Sequence, residues 1–443
     1  MQEIKVSKIS GVVMDFFGHV TEQADQQAGF VKRKSKLTAK RFVEALRMGC
    51  LSDSEVSLEK ICELLKKRGV KMTKQGLHQR FHREAACFME TLFQKAVLHF
   101  QTEKQEVLTL LKPFSGVYLT DSTGISLPSE LKDHYKGYGG ASSAAGIKLQ
   151  TTLEYMRGQL RAMTVTSATQ NDQSFRGHLE AIEKNGLYLQ DQGYFKVSSF
   201  AKFQQEGAYF ISRYLSPTYL LDAASQPLVL REMLRNAGPV FEAQVQLGKQ
   251  EKLSVRLLAT RLPPETREQR IRKIKRDAQR QRTTPSKATL EMAGWSIYIT
   301  NISEPLLTHA QVYLLYSLRW QIELFFKLCK SEAGIDKVKG KNISRILCEL
   351  YAKLINVLEL LYLCFPVRWH TEQREISLQK AYQTLRLKSR ELFHALTSAY
   401  RLRRFLTDFL SDLKDFAMKD RRCKKKRATY QKMMDSTQQE RFA

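Results

Sequence analysis

Three things are scarce in this sequence of 443 residues, and each scarcity narrows the reading. Cysteine comes first. The seven cysteines are odd in number, widely scattered and never spaced Cys-x-x-Cys. That pattern argues against a disulfide framework and against a zinc knuckle, and predicts reduced thiols in a cytoplasmic protein. Apolar runs are short. The N-terminus, MQEIKVSKIS, has no apolar signal core, so no secretion signal is expected. The most apolar stretch, residues 354–367, carries Asn356 and Glu359 and closes around Pro366. It reads as too short and too interrupted to span a bilayer. Acidic residues are also scarce, with 45 Asp and Glu against 72 Lys and Arg, a net charge of +27.

What is present is a globular chain with a strong positive field. Hydrophobic residues make up 43% of it, enough apolar surface to exclude disorder. The charge attracts polyanions, with nucleic acid as the first candidate and an anionic membrane surface as the second. No internal repeat or low-complexity tract is visible.

Residues 1–110 read as a helical N-terminal domain. Leu58, Ile61, Leu64 and Leu65 recur at helical spacing and stop at Gly69, a C-terminal cap. Thr73 stands as an N-cap before a second helix, expected to run from Lys74 to Phe100. The pair resembles a helix-turn-helix, with Lys74, Gln75, His78, Gln79, Arg80 and Arg83 suited to phosphates and base edges. An ordinary helical hairpin with a solvated face fits the same residues. His78 and His82 are spaced as metal ligands could be, but no Cys or acidic partner completes a site, so a polar stripe is the better reading.

Residues 111–216 hold short β-branched and aromatic runs. VYLTDST, AAGIKLQTTLEYM, LRAMTVTSAT, GLYLQDQGYF and GAYFISRYL read as strands. FRGHLEAIEKN and FKVSSFAKFQQEG read as helices between the later ones, which makes a mixed α/β sheet. Residues 217–305 read as a β-rich module. VFEAQVQL and LSVRLLAT alternate apolar and polar positions, with one wet face and a turn at Gly248. A basic arm follows in residues 261–287, with ten Lys and Arg against three Glu and Asp. Within it, residues 267–282 are expected to contact a DNA backbone. Residues 306–340 and 341–443 are helical and close on the basic cluster KDRRCKKKR.

Asp121 ends the apolar run VYLTD, and Asp191 ends LYLQD. Two aspartates at strand ends of one sheet can converge, and a divalent cation relieves their repulsion. In YSLRWQIELFFKLCK, Tyr316, Arg319, Glu323, Lys327 and Lys330 fall on one stripe of a continuous α-helix, within a sector of roughly 60° for the first, second, third and last of these. The other face, Leu315, Leu318, Ile322, Phe326 and Cys329, is apolar, and Trp320 is expected to pack beside Arg319. A solvated, salt-bridged face explains the charges but not the two aspartates. Three carboxylates suit phosphodiester cleavage, holding two Mg²⁺ ions (Mn²⁺ as substitute) about 4 Å apart around an in-line displacement.

With these residues in view, the chain resembles the Asp-Asp-Glu (DDE) transposases of bacterial insertion sequences, in the insertion-sequence-four group. That group carries Tyr-x-x-Arg-x-x-x-Glu-x6-Lys, and Tyr316, Arg319, Glu323 and Lys330 satisfy it. Asp191-Gln-Gly-Tyr matches the second motif, and Asp121 ends the first core strand. The resemblance covers about residues 30–365 and implies a ribonuclease-H-like core, 111–216 and 306–340, interrupted by a β-rich insertion, 217–305. It implies Asp121, Asp191 and Glu323 as catalytic metal ligands, and Tyr316, Arg319, Lys327 and Lys330 on DNA phosphates. Trp295 stands where the group's base-stacking Trp is expected, although a strand aromatic explains it equally well. Gln192 departs from the Arg of many members. The activity implied is cut-and-paste transposition, with second-strand cleavage through a DNA hairpin, by a homodimer on element ends. Residues 341–443 are expected to hold the dimer contact. Two other readings keep the same core: an inactive relative that regulates by binding DNA, and a structure-selective nuclease.

Overall fold

The computed structural model describes residues 6–33, 35–102, 109–368 and 376–419. All of KDRRCKKKR but its first lysine lies outside the described residues. Ten strands run along the chain: β1 Val117–Leu127, β2 Ala145–Glu154, β3 Gln159–Ser167, β4 Leu187–Gln190, β5 Tyr209–Arg213, β6 Leu220–Leu221, β7 Pro227–Leu228, β8 Val240–Leu247, β9 Leu253–Arg261 and β10 Trp295–Thr300. The described chain divides into two compact units. One holds residues 6–102, 122–170 and 321–419, and the other holds 109–121 and 171–320.

The first unit is mainly helical. Its central helix, Ile343–Arg368, packs against helices Ala39–Ser52, Arg83–His99, Leu378–Leu387 and Ala399–Phe416. At 26 residues this helix is longer than the sequence reading allowed. By length and composition it could cross a membrane, yet 89% of its apolar window is buried inside the protein. Its apolarity is therefore that of a core helix. Arg345, Glu349, Lys353, Asn356 and Glu359 form a polar seam at three- and four-residue spacing, half-buried at Arg345 and buried beyond it, and each is partnered. Arg345 Nε donates to Glu349 at 2.7 Å. Lys353 Nζ donates to the carbonyls of Gly334 and Lys337 at 2.8 and 3.0 Å. Asn356 accepts from Arg47 Nε at 3.0 Å, and Glu359 is ion-paired with Arg47. The antiparallel hairpin of β2 and β3 leans through β3 on helices Arg83–His99 and Ile343–Arg368.

The N-terminal helices begin and end where their caps dictate. Ser57 Oγ accepts from Lys60 N at 3.2 Å to start helix Leu58–Lys67. Gly69 takes φ +78°, a left-handed turn that favours glycine. Thr73 Oγ1 accepts from Gly76 N at 3.1 Å. The second helix of the expected pair is not continuous. It divides into Lys74–His78 and Arg83–His99, with His82 extended at the start of the second piece. The break turns Phe81 inward, where it is buried against Phe42 and Arg345. His78 and His82 therefore share no helix face, and His82 Nδ1 pairs with Glu84 at 2.9 Å.

In the second unit the strand order is β1-β4-β5-β10-β9-β8-β6-β7. β1, β4 and β5 are parallel, and β10 joins β5 antiparallel, with Tyr298 opposite Arg213. The strands of residues 217–305 thus continue the sheet of β1, β4 and β5. β8 and β9 form the expected hairpin, Leu247 facing Leu253 across Gly248 at φ +81°. β9 has no wet face at its centre: Arg256 and Leu258 are buried along with Val255 and Leu257. As a central strand between β8 and β10 it is covered on both faces, and Arg256 enters that interior because Glu242 is its partner.

Helix Val197–Gln205 forms as expected and buries Phe200 and Phe203. Residues 175–185 do not form the helix read from FRGHLEAIEKN. One short 3-10 turn occurs there, Gly177–Leu179. Leu179 and Ile182 are the only large aliphatic residues in the run, one turn apart, and a single turn does not offset the cost of nucleating a helix.

Candidate active site

Strand register brings the two aspartates together. Along β1 and β4 the paired residues are Val117 and Leu187, Tyr118 and Tyr188, Leu119 and Leu189, then Thr120 and Gln190. Asp121 and Asp191 come next in each chain. The same register continues to β5, where Gln190 pairs with Ser212 and the next residue is Arg213. Side chains alternate faces along a strand, so Asp121, Asp191 and Arg213 follow the buried row of Thr120, Gln190 and Ser212. Asp121 does not end its strand, because β1 runs on to Leu127. It is the pairing with β4 that stops there, and β4 ends at Gln190.

A cation stands at the two carboxylates. Arg319 Nη1 is 3.5 Å from Asp121 Oδ2, and Arg319 Nε is 3.9 Å from Asp191 Oδ1. The Arg319 side chain is 16% exposed, Asp121 20% and Asp191 45%, so the cluster opens to solvent on the Asp191 side. Opposite charges stabilise each other here, and the two carboxylates no longer face one another uncompensated.

Tyr316 supports the cluster from behind. Its hydroxyl donates to the Gln190 carbonyl at 3.3 Å, and the residue is buried. The ring lies edge-on to Tyr298, with centroids 4.7 Å apart, and the Arg213 guanidinium is 5.8 Å from its centroid. Burial pushes the Tyr316 phenol well above its ordinary pKa, although Arg319 and Arg213 pull the other way. The phenol remains a neutral donor at any working pH.

The segment carrying these residues is not one α-helix. Helix His309–Tyr316 gives way to a 3-10 turn, Ser317–Arg319, then helix Trp320–Lys327, then a π-helical turn, Leu328–Glu332. Rotation of 100° per residue does not hold across those changes, so a stripe drawn on one continuous α-helix does not follow from the spacing of Tyr316, Arg319, Glu323, Lys327 and Lys330. The apolar positions Leu315, Leu318, Ile322, Phe326 and Cys329 are buried as read, whereas Trp320 is 55% exposed rather than packed.

The start of helix His309–Tyr316 is fixed by a polar network absent from the sequence reading. Thr308 and Gln311 form a reciprocal capping box. His309 Nδ1 lies 3.3 Å from Glu242, and its Nε2 lies 2.9 Å from Thr260 Oγ1. Arg256 Nη2 donates to Glu242 at 3.0 Å, and its Nη1 donates to the Leu307 carbonyl at 2.7 Å. Burial raises the Glu242 carboxyl, but Arg256 and His309 outweigh it and hold Glu242 below the usual carboxylate range. The helix that carries Tyr316 is thereby anchored to β8 and β9.

The remaining candidates are placed as follows. Glu323, in helix Trp320–Lys327, and Lys330, in the π-helical turn, are half-buried, and Lys327 is exposed. All three belong to the first unit, whereas Asp121, Asp191, Tyr316 and Arg319 belong to the second. Trp295 opens β10 opposite Arg261, whose guanidinium is 5.0 Å from the indole centroid, and packs on the core of the second unit. Gln192 Nε2 donates to the Tyr214 carbonyl at 2.9 Å. The basic arm is a helix, Pro264–Arg280, with no buried residue. Arg270 docks it on the sheet by donating to the Trp295 carbonyl at 2.9 Å. Arg213 was missed. It ends FISR as Asp121 and Asp191 end VYLTD and LYLQD, and superposing the three runs would have found it.

Carboxylate oxygens gathered about one point are the donor chemistry that Mg²⁺ and Mn²⁺ take. Asp121 and Asp191 supply two such groups, and the guanidinium beside them marks the place as favourable to positive charge. Among the described residues no group of three or more His, Cys, Asp or Glu side chains is gathered for a metal ion.

The transposase for insertion sequence element IS1151 of Clostridium perfringens is 29% identical over 429 residues, 90% of each chain. That for IS231F of Bacillus thuringiensis subsp. israelensis is 26% identical, over 91% of this chain and 90% of the other. A cryo-EM structure of a piggyBac transposase synaptic complex with hairpin DNA aligns with 93% of this chain and 86% of that one, at 10% identity and a TM-score of 0.47. The family model described as the transposase DDE domain matches residues 112–358, and with more than half of the sequence inside that match the chain belongs to the DDE transposases of bacterial insertion sequences.

Proposed function

We propose that the protein moves its element by metal-dependent cut-and-paste transposition, with Asp121, Asp191 and Glu323 as the catalytic carboxylates. The observation that carries this reading is that Asp121 and Asp191 each follow the register pair of Thr120 and Gln190, beside Arg319 and inside the span matched by the transposase DDE domain. On this reading, residues 111–216 and 306–340 are a ribonuclease-H-like core, and Glu323 completes the ligand set.

The three carboxylates would hold two divalent ions, Mg²⁺ or Mn²⁺. When bound, these supply Lewis-acid stabilisation of the attacking and leaving oxygens of an in-line displacement. The chain's own side chains do the rest. Arg319 offers a planar fork to the scissile phosphate, and Lys327 and Lys330 add point charges along the backbone. Tyr316 positions the strand end that carries Asp191. A first hydrolysis frees a 3′-hydroxyl, which attacks the opposite strand to give a hairpin, with Trp295 as the candidate for stacking a displaced base. The reopened end then attacks target DNA. Two ends per element suit a homodimer assembled on DNA, with residues 341–443 in the contact and the cytoplasm as the place of action.

Nicking of duplexes bearing the element's ends, with Mg²⁺ added, tests this. Glu323→Gln and Asp121→Asn should bind the duplex as wild type does and lose nicking by at least about a hundredfold, since loss of even a ligand's supporting partner costs about 10–100-fold at metal sites. Equal nicking by wild type and Glu323→Gln would remove Glu323 from the reaction.

A further inference from the structure

We propose that Arg319 is a built-in competitor of the divalent ion: it holds Asp121 and Asp191 as a pair and exchanges them for a DNA phosphate when metal enters. This rests on the proposed role of the two carboxylates as metal ligands. Adjacent strands lie about 4.8 Å apart, so two carboxylates that follow the same register pair repel unless a cation stands by them. Arg319 is such a cation, reaching Asp121 with Nη1 and Asp191 with Nε.

The contacts are poised for exchange. At 3.5 and 3.9 Å they are longer than the roughly 2.7–2.9 Å of a tight charge-assisted hydrogen bond. Arg319 ends the 3-10 turn Ser317–Arg319, a backbone with weaker hydrogen-bond geometry than the helices on either side. The Asp191 carboxylate is nearly half exposed, which gives an ion a way in.

A phosphate offers the guanidinium the same pair of acceptor oxygens as a carboxylate. A phosphate draws Arg319 away from the aspartates, and a metal ion displaces it from them. Each event makes the other easier, and thermodynamic linkage requires the effect to be mutual. The metal site would be weak until DNA arrives, which discourages hydrolysis of the wrong substrate.

Mn²⁺ titrated into the full-length protein without DNA, with free Mn²⁺ read by electron paramagnetic resonance, tests the exchange. Arg319→Gln should bind Mn²⁺ about tenfold tighter than wild type, within the usual range of coupling between sites. A short duplex of random sequence should tighten Mn²⁺ binding by wild type and leave Arg319→Gln unchanged. Without metal, Arg319→Gln should melt lower than wild type and gain more from added Mn²⁺. Asp191→Asn should weaken Mn²⁺ binding at least about tenfold. If Asp191→Asn loses Mn²⁺ but Arg319→Gln binds it no tighter than wild type, the competitor role is wrong and the metal site stands. If Asp191→Asn binds Mn²⁺ as wild type does, the metal reading fails and takes the competitor with it.

Discussion

The Tyr316 hydroxyl donates to the main-chain carbonyl of Gln190, the last residue of β4 and the one before Asp191. A side chain marked by the signature Tyr-x-x-Arg as a phosphate contact is thus buried beneath the strand end and braces the backbone that presents a carboxylate.

Tyr316→Phe separates bracing from direct DNA contact. Removing the hydroxyl costs one buried hydrogen bond, about 1 kcal/mol of stability. If the bracing matters, kcat for nicking falls several-fold, because small misplacements of reacting groups are costly, while duplex affinity stays at the wild-type level. A fall in affinity with kcat unchanged would return Tyr316 to the phosphate backbone.

Much of this site is legible in the sequence, for local reasons. VYLTD and LYLQD announce themselves as strands because β-branched and aromatic residues fit a pleated, buried surface, and the acid after each marks where apolar burial stops. Thr73 and Gly248 act within a few residues of themselves, so a cap and a turn follow from identity alone. What is illegible depends on partners distant in the chain. Phe81 breaks a regular helical pattern because Phe42 and Arg345 offer it a buried place. Arg256 contradicts the wet-face pattern of β9 because Glu242 lies across the ladder. Arg213 joins the carboxylate end of the sheet through register, which no spacing along the chain displays.

His178 sets a pH limit on the second unit. It is buried among Phe175, Tyr194 and Phe203, and neither ring nitrogen has a hydrogen-bond partner. Burial, with smaller effects from Arg176 and Lys202, lowers its pKa to about 4 from the ordinary 6.5. The unfolded chain binds a proton near pH 6.5 and the folded chain does not until about pH 4. Stability from this residue is therefore complete above pH 6.5 and drains away through that window, by roughly 3 kcal/mol at its end. His178→Phe should flatten denaturation midpoints between pH 6.5 and 4 relative to wild type. Parallel wild-type and variant curves would show that His178 takes up its proton in the folded state.

The ion pair of Arg47 and Glu359 tests the core of the first unit. Both side chains are essentially inaccessible, at 0% and 1% exposure, and Asn356 supplies a further acceptor to Arg47. Arg47→Met strands the Glu359 carboxylate among apolar neighbours and should cost about 3–5 kcal/mol. Replacing both partners by Met removes both desolvation penalties and should recover most of that loss. Urea denaturation of the two single variants and the double variant gives the answer. A double variant as unstable as the sum of the singles would mean that the two residues do not interact.

The helix Pro264–Arg280 carries the last prediction. None of its residues is buried, and Lys273, Lys275 and Arg276 stand exposed near its middle. A helix this basic gains nothing from a core and is held to the sheet through Arg270, so its free cations are available to a polyanion. If each of the three neutralises one phosphate, each releases about 0.9 counterion on duplex DNA. Changing all three to Gln should then lower the slope of log affinity against log salt by about 2–3, and weaken binding to every duplex alike, since backbone contacts carry no sequence information. Filter binding at several salt concentrations reads that slope directly, and an unchanged slope would take the helix off the DNA.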